Sequence, residues 1–240
     1  MFLGPFNLLN KLTMSQKLFF VLFLMTTHLC YGQNIAAHYK VSKEVNAVID
    51  GDTHKLGTLT YDGYYYEDGP NTIYYSKPLF LDTYPDGVFR YQQGLNKEMD
   101  YSFSIDSVQT IFCRNFDSLR LRYRVDIPGK NNSLNVILGF KRGQMTWEFL
   151  QEQRDINGLK CQKAKFVNGN NKLQWEVWFC PDVPAIAGPE GIHDLPGLVV
   201  EGENFISGYV YTLVDYKTNV TISKDVFWPR EFLKPFIGKK

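Results

Sequence analysis

His193 and Asp194 are the only adjacent imidazole and carboxylate in the chain. Side by side in a segment rich in glycine and proline, they stand where a catalytic group could stand, and the chemistry they would offer is proton transfer. That chemistry needs a nucleophile or an activated water, and no G-x-S-x-G elbow supplies one. The pair therefore reads as a turn aspartate beside a surface histidine.

Metal and cofactor chemistry have even less support. Beyond position 32 the histidines are His38, His54 and His193, and none lies in an H-E-x-x-H or C-x-x-C spacing. Asp50-Gly51-Asp52 lacks the remaining ligands of a calcium loop. No P-loop or dinucleotide fingerprint opens a helix. The sequence points to no cofactor, no metal site and no catalytic residue.

Three arginines, Arg120, Arg122 and Arg124, alternate with Leu121, Tyr123 and Val125. On a strand they share one face at about 7 Å intervals, a spacing that could hold an anion. The plainer expectation is a solvated face paired with acids on neighbouring strands.

Cysteine chemistry rests on Cys113, Cys161 and Cys180, an odd number. Residues 160–180 read as two strands around a turn at 169–172. A symmetric register sets Phe166 against Trp175, Ala164 against Val177, Lys165 against Glu176 and Lys163 against Trp178. The same register sets Cys161 opposite Cys180, a candidate disulfide with two free thiols as the alternative.

The elements that must position these groups are strands. Aromatic residues make up 15% of the chain, and two-residue alternation recurs from the 57–67 segment to the 208–217 segment. Residues 117–140 read as an antiparallel hairpin with a long loop. The expected fold is all-β, mainly antiparallel, as a curved open sheet, half barrel or sandwich. At most a short helix follows near the C-terminus, where Pro229 suits a first helical position and Pro235 ends the run.

Two lysines, Lys11 and Lys17, precede the apolar run Leu18–Met25, which leads to Gly32-Gln33. This is the pattern of a secretory signal peptide over residues 1–32, starting at Met1 or Met14, with cleavage before Gln33. The run is too short to span a membrane. A lipidated Cys30 is the alternative, but His28 and Leu29 are poor company for one. The remainder, 33–240, reads as one β-rich domain that is periplasmic or secreted. Without the leader, basic and acidic residues number 24 and 25, so charge gives no case for nucleic acid or an anionic membrane as the main partner.

The densest punctuation lies at 181–198. Pro181, Pro184 and Pro189 suppress helix and ladder alike, while Leu195-Pro196-Gly197-Leu198 has the order of a type II turn with positive φ at Gly197. Val183, Ile186, Ile192 and Leu195 should pin the connection against the sheet, and Ile186, Ile192 and Leu195 are the candidate contacts for a partner or ligand. A structural plug over the core is the alternative.

These residues resemble the signature of the GLPGLI family, secreted or periplasmic proteins of Bacteroidota with a Porph_ging-type domain of unknown function. Matching positions are Lys160-Cys161-Gln162-Lys163-Ala164, Trp175 or Trp178, Val183-Pro184, Gly188-Pro189 and Leu195-Pro196-Gly197-Leu198. Asp194 replaces the first glycine of the signature, a change that tolerates a left-handed backbone, and Val199 replaces its last isoleucine. The resemblance implies export and a β-rich domain, and brings no catalytic residue or cofactor. Three classes follow: a non-catalytic envelope binding or assembly module, a carrier of an apolar or lipid-like ligand in a curved-sheet cavity, and an undetected hydrolase. The partner is accordingly an envelope protein or an apolar ligand.

Overall fold

The structure is a computed structural model, and it describes residues 34–49, 51–93, 97–106, 108–126 and 133–227. The expected signal peptide and the Pro229–Pro235 segment lie outside these residues. The last described element is a single 3-10 turn, Lys224–Phe227.

The chain forms β1 (Ile35–Ile49), β2 (Asp52–Asp68), β3 (Asn71–Pro78), β4 (Val88–Gln93), β5 (Lys97–Ser102), β6 (Gln109–Asn115), β7 (Arg120–Asp126) and β8 (Ser133–Gly139). After these come β9 (Trp147–Ile156), β10 (Leu159–Val167), β11 (Leu173–Cys180), β12 (Leu198–Asn204) and β13 (Tyr209–Thr218). Eleven strands make one antiparallel sheet in the order β8-β7-β6-β3-β2-β1-β13-β12-β11-β10-β9, and β4–β5 form a separate ribbon. The fold is therefore the all-β, open curved sheet, neither closed into a barrel nor split into a sandwich.

Connectivity requires the curvature. β8 and β9 are the two edges of the sheet, which laid flat would be about 48 Å wide at roughly 4.8 Å per strand. Yet the chain passes from Gly139 to Trp147 in eight residue steps, a reach of at most about 29 Å. The edges must curl towards each other. Buried Phe140 and Met145 on this connection, with Trp147 at its end, then face the interior of the curl.

The inner face is built by alternation. Tyr61 and Tyr65 on β2, Tyr74 on β3, Tyr39 on β1, Tyr211 on β13 and Trp175 on β11 are all buried, and Tyr61 and Tyr65 stand opposite Pro78 and Tyr74 of β3 in register. Tyr74 and Trp175 both pack on the Tyr211 ring at centroid distances of 6.1 and 5.7 Å. The opposite face of β9–β12 is polar. There Lys165 pairs with Glu148, Lys163 with Glu176 and Arg154 with Glu201, while Arg154 covers the Trp178 ring. Phe80, Phe89 and Phe103 stack edge-on where the β4–β5 ribbon meets the sheet.

The β10–β11 register is the one expected: Phe166–Trp175, Lys165–Glu176, Ala164–Val177 and Lys163–Trp178 all pair. The stretch 101–112, which alternates as if it were one strand, divides instead. β5 ends at Ser102 and β6 begins at Gln109.

Candidate functional site

Segment 181–197 leaves β11 and returns at β12 across the inner face. It folds as a miniature hairpin. Ala187 and His193 form an isolated antiparallel bridge, Gly188 N donates to Ile192 O at 3.0 Å, and Ile192 N donates to Pro189 O at 3.0 Å. Its tip is Glu190-Gly191, with φ of 42° and 101°. Positive φ at both central residues is the type I′ arrangement, which normally selects Asn-Gly or Asp-Gly. A glutamate there strains the backbone, and its side chain supplies the compensation. Glu190 Oε2 accepts hydrogen bonds from Tyr211 Oη at 2.6 Å, Asn204 Nδ2 at 3.2 Å and Ser207 Oγ at 3.3 Å. Burial raises its pKa, and these bonds oppose the rise.

The other side of the tip is held from β6. Arg114 donates from its terminal nitrogen to the Gly191 carbonyl at 2.6 Å, and His193 Nδ1 donates to the same oxygen at 3.0 Å. Arg114 is 5% exposed, and burial lowers its pKa to about 10, which leaves it cationic at neutral pH. From β2, Glu67 Oε2 accepts Tyr65 Oη at 2.5 Å and Ile186 N at 3.0 Å, while burial pushes its carboxyl up to about 7. From β9, Trp147 Nε1 donates to His193 O at 2.9 Å. Tyr39 of β1 reaches Val199 O at 2.8 Å. The segment is thus tied to strands on both sides of the sheet's middle.

His193 is 7% exposed, so it is not the surface histidine expected. Its ring meets Phe140 edge-on at 5.6 Å. The bond to Gly191 fixes the Nδ1–H tautomer, and Nε2 lies 3.5 Å from Asp194 Oδ2 with no hydrogen-bond partner among the described residues. Burial, reinforced by Arg114, lowers the His193 pKa. Among the described residues no hydroxyl or thiol is hydrogen-bonded to it. Asp194 does act as a turn residue, with φ of 61° and Oδ2 accepting Met145 N at 3.1 Å.

The signature residues mostly explain themselves by packing. Leu195 and Leu198 are buried, as are Pro189 and Cys161. Gly197 is not at positive φ, so the type II turn is corrected; the left-handed residue is Asp194. Glycine is required at 197 for another reason, because a Cβ there would lie 2.2 Å from the Cys180 carbonyl oxygen. A Cβ on Gly188 would meet Val199 Cγ2 at 3.0 Å. Ile192 is fully buried and offers nothing to the surface.

What remains accessible is a rim. A cleft of about 390 Å³ is edged by Pro181, Pro184, Ile186, Asp194, Pro196 and Arg142, which keep some exposure, and floored by the buried Ala185, Leu195, Glu67 and Phe116. Arg142 lies over the Phe116 ring at 5.6 Å and donates to its carbonyl at 2.9 Å. Of the three candidate contacts, Ile186 and Leu195 line this cleft and Ile192 does not. Sequence reasoning missed Glu67, Arg114 and Glu190, whose importance depends on contacts between residues far apart in the chain. Glu190-Gly191 carried a faint local signal as a carboxylate-glycine turn.

Cys161 and Cys180 are buried free thiols, each next to the aligned Gln162–Phe179 pair. The Cys161 thiol donates to Leu159 O at 3.3 Å, and burial pushes its pKa up to about 11. The candidate disulfide is therefore not formed in this structure. The three arginines also separate. Arg124 is buried and paired with Asp106, whereas Arg120 and Arg122 line another cleft. The residues directly opposite are Asn115 and Gly139 for Arg120, and Cys113 and Ile137 for Arg122.

Among the described residues no group of three or more histidine, cysteine or acidic side chains could hold a metal ion, and no helix is long and apolar enough to cross a membrane. No family model matches the chain, and no curated protein matches it. Solved structures with some likeness are PNGF-II in its P21 and C2 crystal forms, at 13% identity and TM-scores of 0.45 and 0.46. The match covers 81% and 82% of this chain, which spans only 30% and 29% of theirs. A DUF1329 family protein from Desulfovibrio piger matches at 10% identity and a TM-score of 0.29, over 85% of this chain and 93% of its own.

Proposed function

We propose that this chain is an exported, non-catalytic envelope binding or assembly module of the GLPGLI type, and that it binds at the rim of segment 181–198. The observation that carries this reading is the cleft walled by Pro181, Pro184, Ile186, Leu195 and Pro196. Its backbone is stiffened by proline and anchored to the sheet, so a partner meets a preformed surface with little ordering cost. The Arg142 side chain, laid over the buried Phe116 ring, adds a residue type favoured at protein interfaces.

A carrier of an apolar ligand is less well supported, because the segment fills the concavity that such a ligand would need. Hydrolysis is less well supported too, since the buried His193 bonds to a backbone carbonyl instead of a nucleophile. Export remains part of the proposal and rests on the leader pattern at 1–32.

A photo-crosslinking residue at Pro181, which is exposed at the cleft, tests the reading in the native host. We expect one discrete adduct from position 181, lost in Ile186→Asp protein that still melts cooperatively, and no such adduct from position 90. Identical background labelling from both positions would refute the binding role.

A further inference from the structure

We infer that the cleft at the rim of segment 181–198 takes an alkyl cation, an ammonium or guanidinium on an aliphatic stem of the kind a lysine or arginine side chain carries, with Glu67 as its counter-charge. The inference rests on the reading of that cleft as the binding site and names the chemistry of what enters it.

Glu67 is a carboxyl without an answering charge. It is 5% exposed and lies on the floor of the cleft. Its Oε2 accepts Tyr65 Oη and Ile186 N. Its Oε1 has no hydrogen-bond partner among the described residues, and no cation among them pairs with either oxygen. A buried carboxylate in this position either holds a proton or acquires a counter-charge. Burial accordingly pushes its carboxyl up to about 7, opposed only by the two bonds to Oε2.

The cations nearby are committed elsewhere. Arg114 stands on β6, separated from β2 by β3, and donates to the Gly191 carbonyl. Arg142 lies over the Phe116 ring and donates to its carbonyl. His193 donates from Nδ1 to Gly191 O. Asp194, at the cleft's edge, adds a second carboxylate whose Oδ2 accepts Met145 N. An anion entering here would meet two carboxylates, and a wholly apolar ligand would strip water from Glu67 Oε1 and return nothing.

The rest of the lining suits a stem. Pro184, Ile186, Leu195 and Pro196 are apolar and lead down to Glu67. A chain of methylenes packs along such a surface while its charged head meets a carboxylate at the end. The volume, about 390 Å³, lies within the ordinary range for small-molecule sites, roughly 300–1,000 Å³.

The test is an amide chemical-shift titration of the protein with n-butylammonium and n-butylguanidinium, with 1-pentanol as the neutral control and valerate as the anionic one. We expect saturable shifts at Glu67, Ile186, Asp194 and Leu195 with the two cations only, weakened about tenfold or more in Glu67→Gln. Wild-type affinity should also rise about tenfold from pH 6 to pH 8, as Glu67 ionises, and Glu67→Gln should lose this rise. Among the groups around Glu67, Arg114 stays cationic in that range, and the His193 pKa is lowered by burial and by Arg114, so the Glu67→Gln comparison isolates the Glu67 share. Pentanol binding as well as butylammonium, shifts that do not saturate, or a cation affinity unchanged in Glu67→Gln would each overturn the inference. The crosslink from position 181, repeated in Glu67→Gln, separates this from the binding reading itself. An adduct that survives in Glu67→Gln at full yield contradicts the cation and leaves the rim as the interface. Cation binding as expected, with no adduct in either protein, keeps the site and identifies a free amine in place of a protein side chain.

Discussion

Arg114 and Gly191 stand 77 residues apart, and the guanidinium of the first donates a 2.6 Å hydrogen bond to the carbonyl of the second. The bond ties β6 to the tip of the 181–197 hairpin, across a sheet in which β3, β2 and β1 separate β6 from β13. Glu190 anchors the same tip to Tyr211 on β13. The hairpin thus bridges strands that do not pair with each other.

Removing the first anchor should be costly. Arg114→Met strips a charged donor from a buried carbonyl, a loss of about 2 kcal/mol. Arg120→Ala, at an exposed position, should stay within about 0.5 kcal/mol of wild type. Urea unfolding of the two proteins checks the difference, and equal midpoints would mean that the tip is not held from β6.

Gly197 separates two explanations of one signature glycine. If close approach to the Cys180 carbonyl is what requires it, any Cβ is harmful, and Gly197→Ala and Gly197→Asn should lose similar stability, on the order of 3 kcal/mol. A left-handed backbone would spare the asparagine variant. Thermal melts of the pair decide this.

Glu67 gives the fold a pH dependence of known sign. Its carboxyl is raised from 4.5 to about 7 by burial. The unfolded chain ionises first as pH rises, so stability is fully present below about 4.5 and is lost through pH 7, by on the order of 3 kcal/mol. Glu67→Gln keeps an acceptor for Tyr65 and Ile186 without the charge. It should flatten this part of the profile and be the more stable protein at pH 8. Parallel profiles for the two proteins would show that Glu67 does not titrate in that window.

The register of β10 and β11 was legible in the sequence because apolar and charged pairs matched only in one alignment, and that alignment is the one observed. β12 and β13 were legible as strands, through the two-residue alternation of their sequences. β1 was not, although it is central to the sheet. Ala36, Ala37 and Ala47 dilute its strand signal, and its pairing with β13 joins opposite ends of the chain. Asp194 was rightly read as tolerant of a left-handed backbone. Gly197 was misread, because Pro-Gly suggests a turn locally while the real constraint is a carbonyl 17 residues upstream. The cleft was only half visible: Pro184 and Leu195 lie in the signature and Ile186 was a candidate contact, whereas Glu67, Phe116 and Arg142 join it through tertiary structure alone.

Cys161 and Cys180 provide a chemical probe of that register. Extending the alignment beyond Gln162–Phe179 places them opposite each other, while Cys113 lies on β6, six strand positions from β11. Treatment of the folded protein with diamide should join Cys161 to Cys180 and leave Cys113 free, as read by non-reducing peptide mapping. A bridge to Cys113, or no bridge at all, would go against the pairing.

The central claim is that segment 181–198 is an integral plug of the fold, with only its rim available for binding. Native-state hydrogen exchange tests it most directly, through the amides of Ile186, Gly188, Ile192 and Leu198, which are bonded to Glu67, Ile192, Pro189 and Val183. These amides should exchange only through global unfolding, with the same free energy as the central strands β1 and β2. Exchange through a low-energy local opening, with the central strands still protected, would show a movable lid and contradict the account.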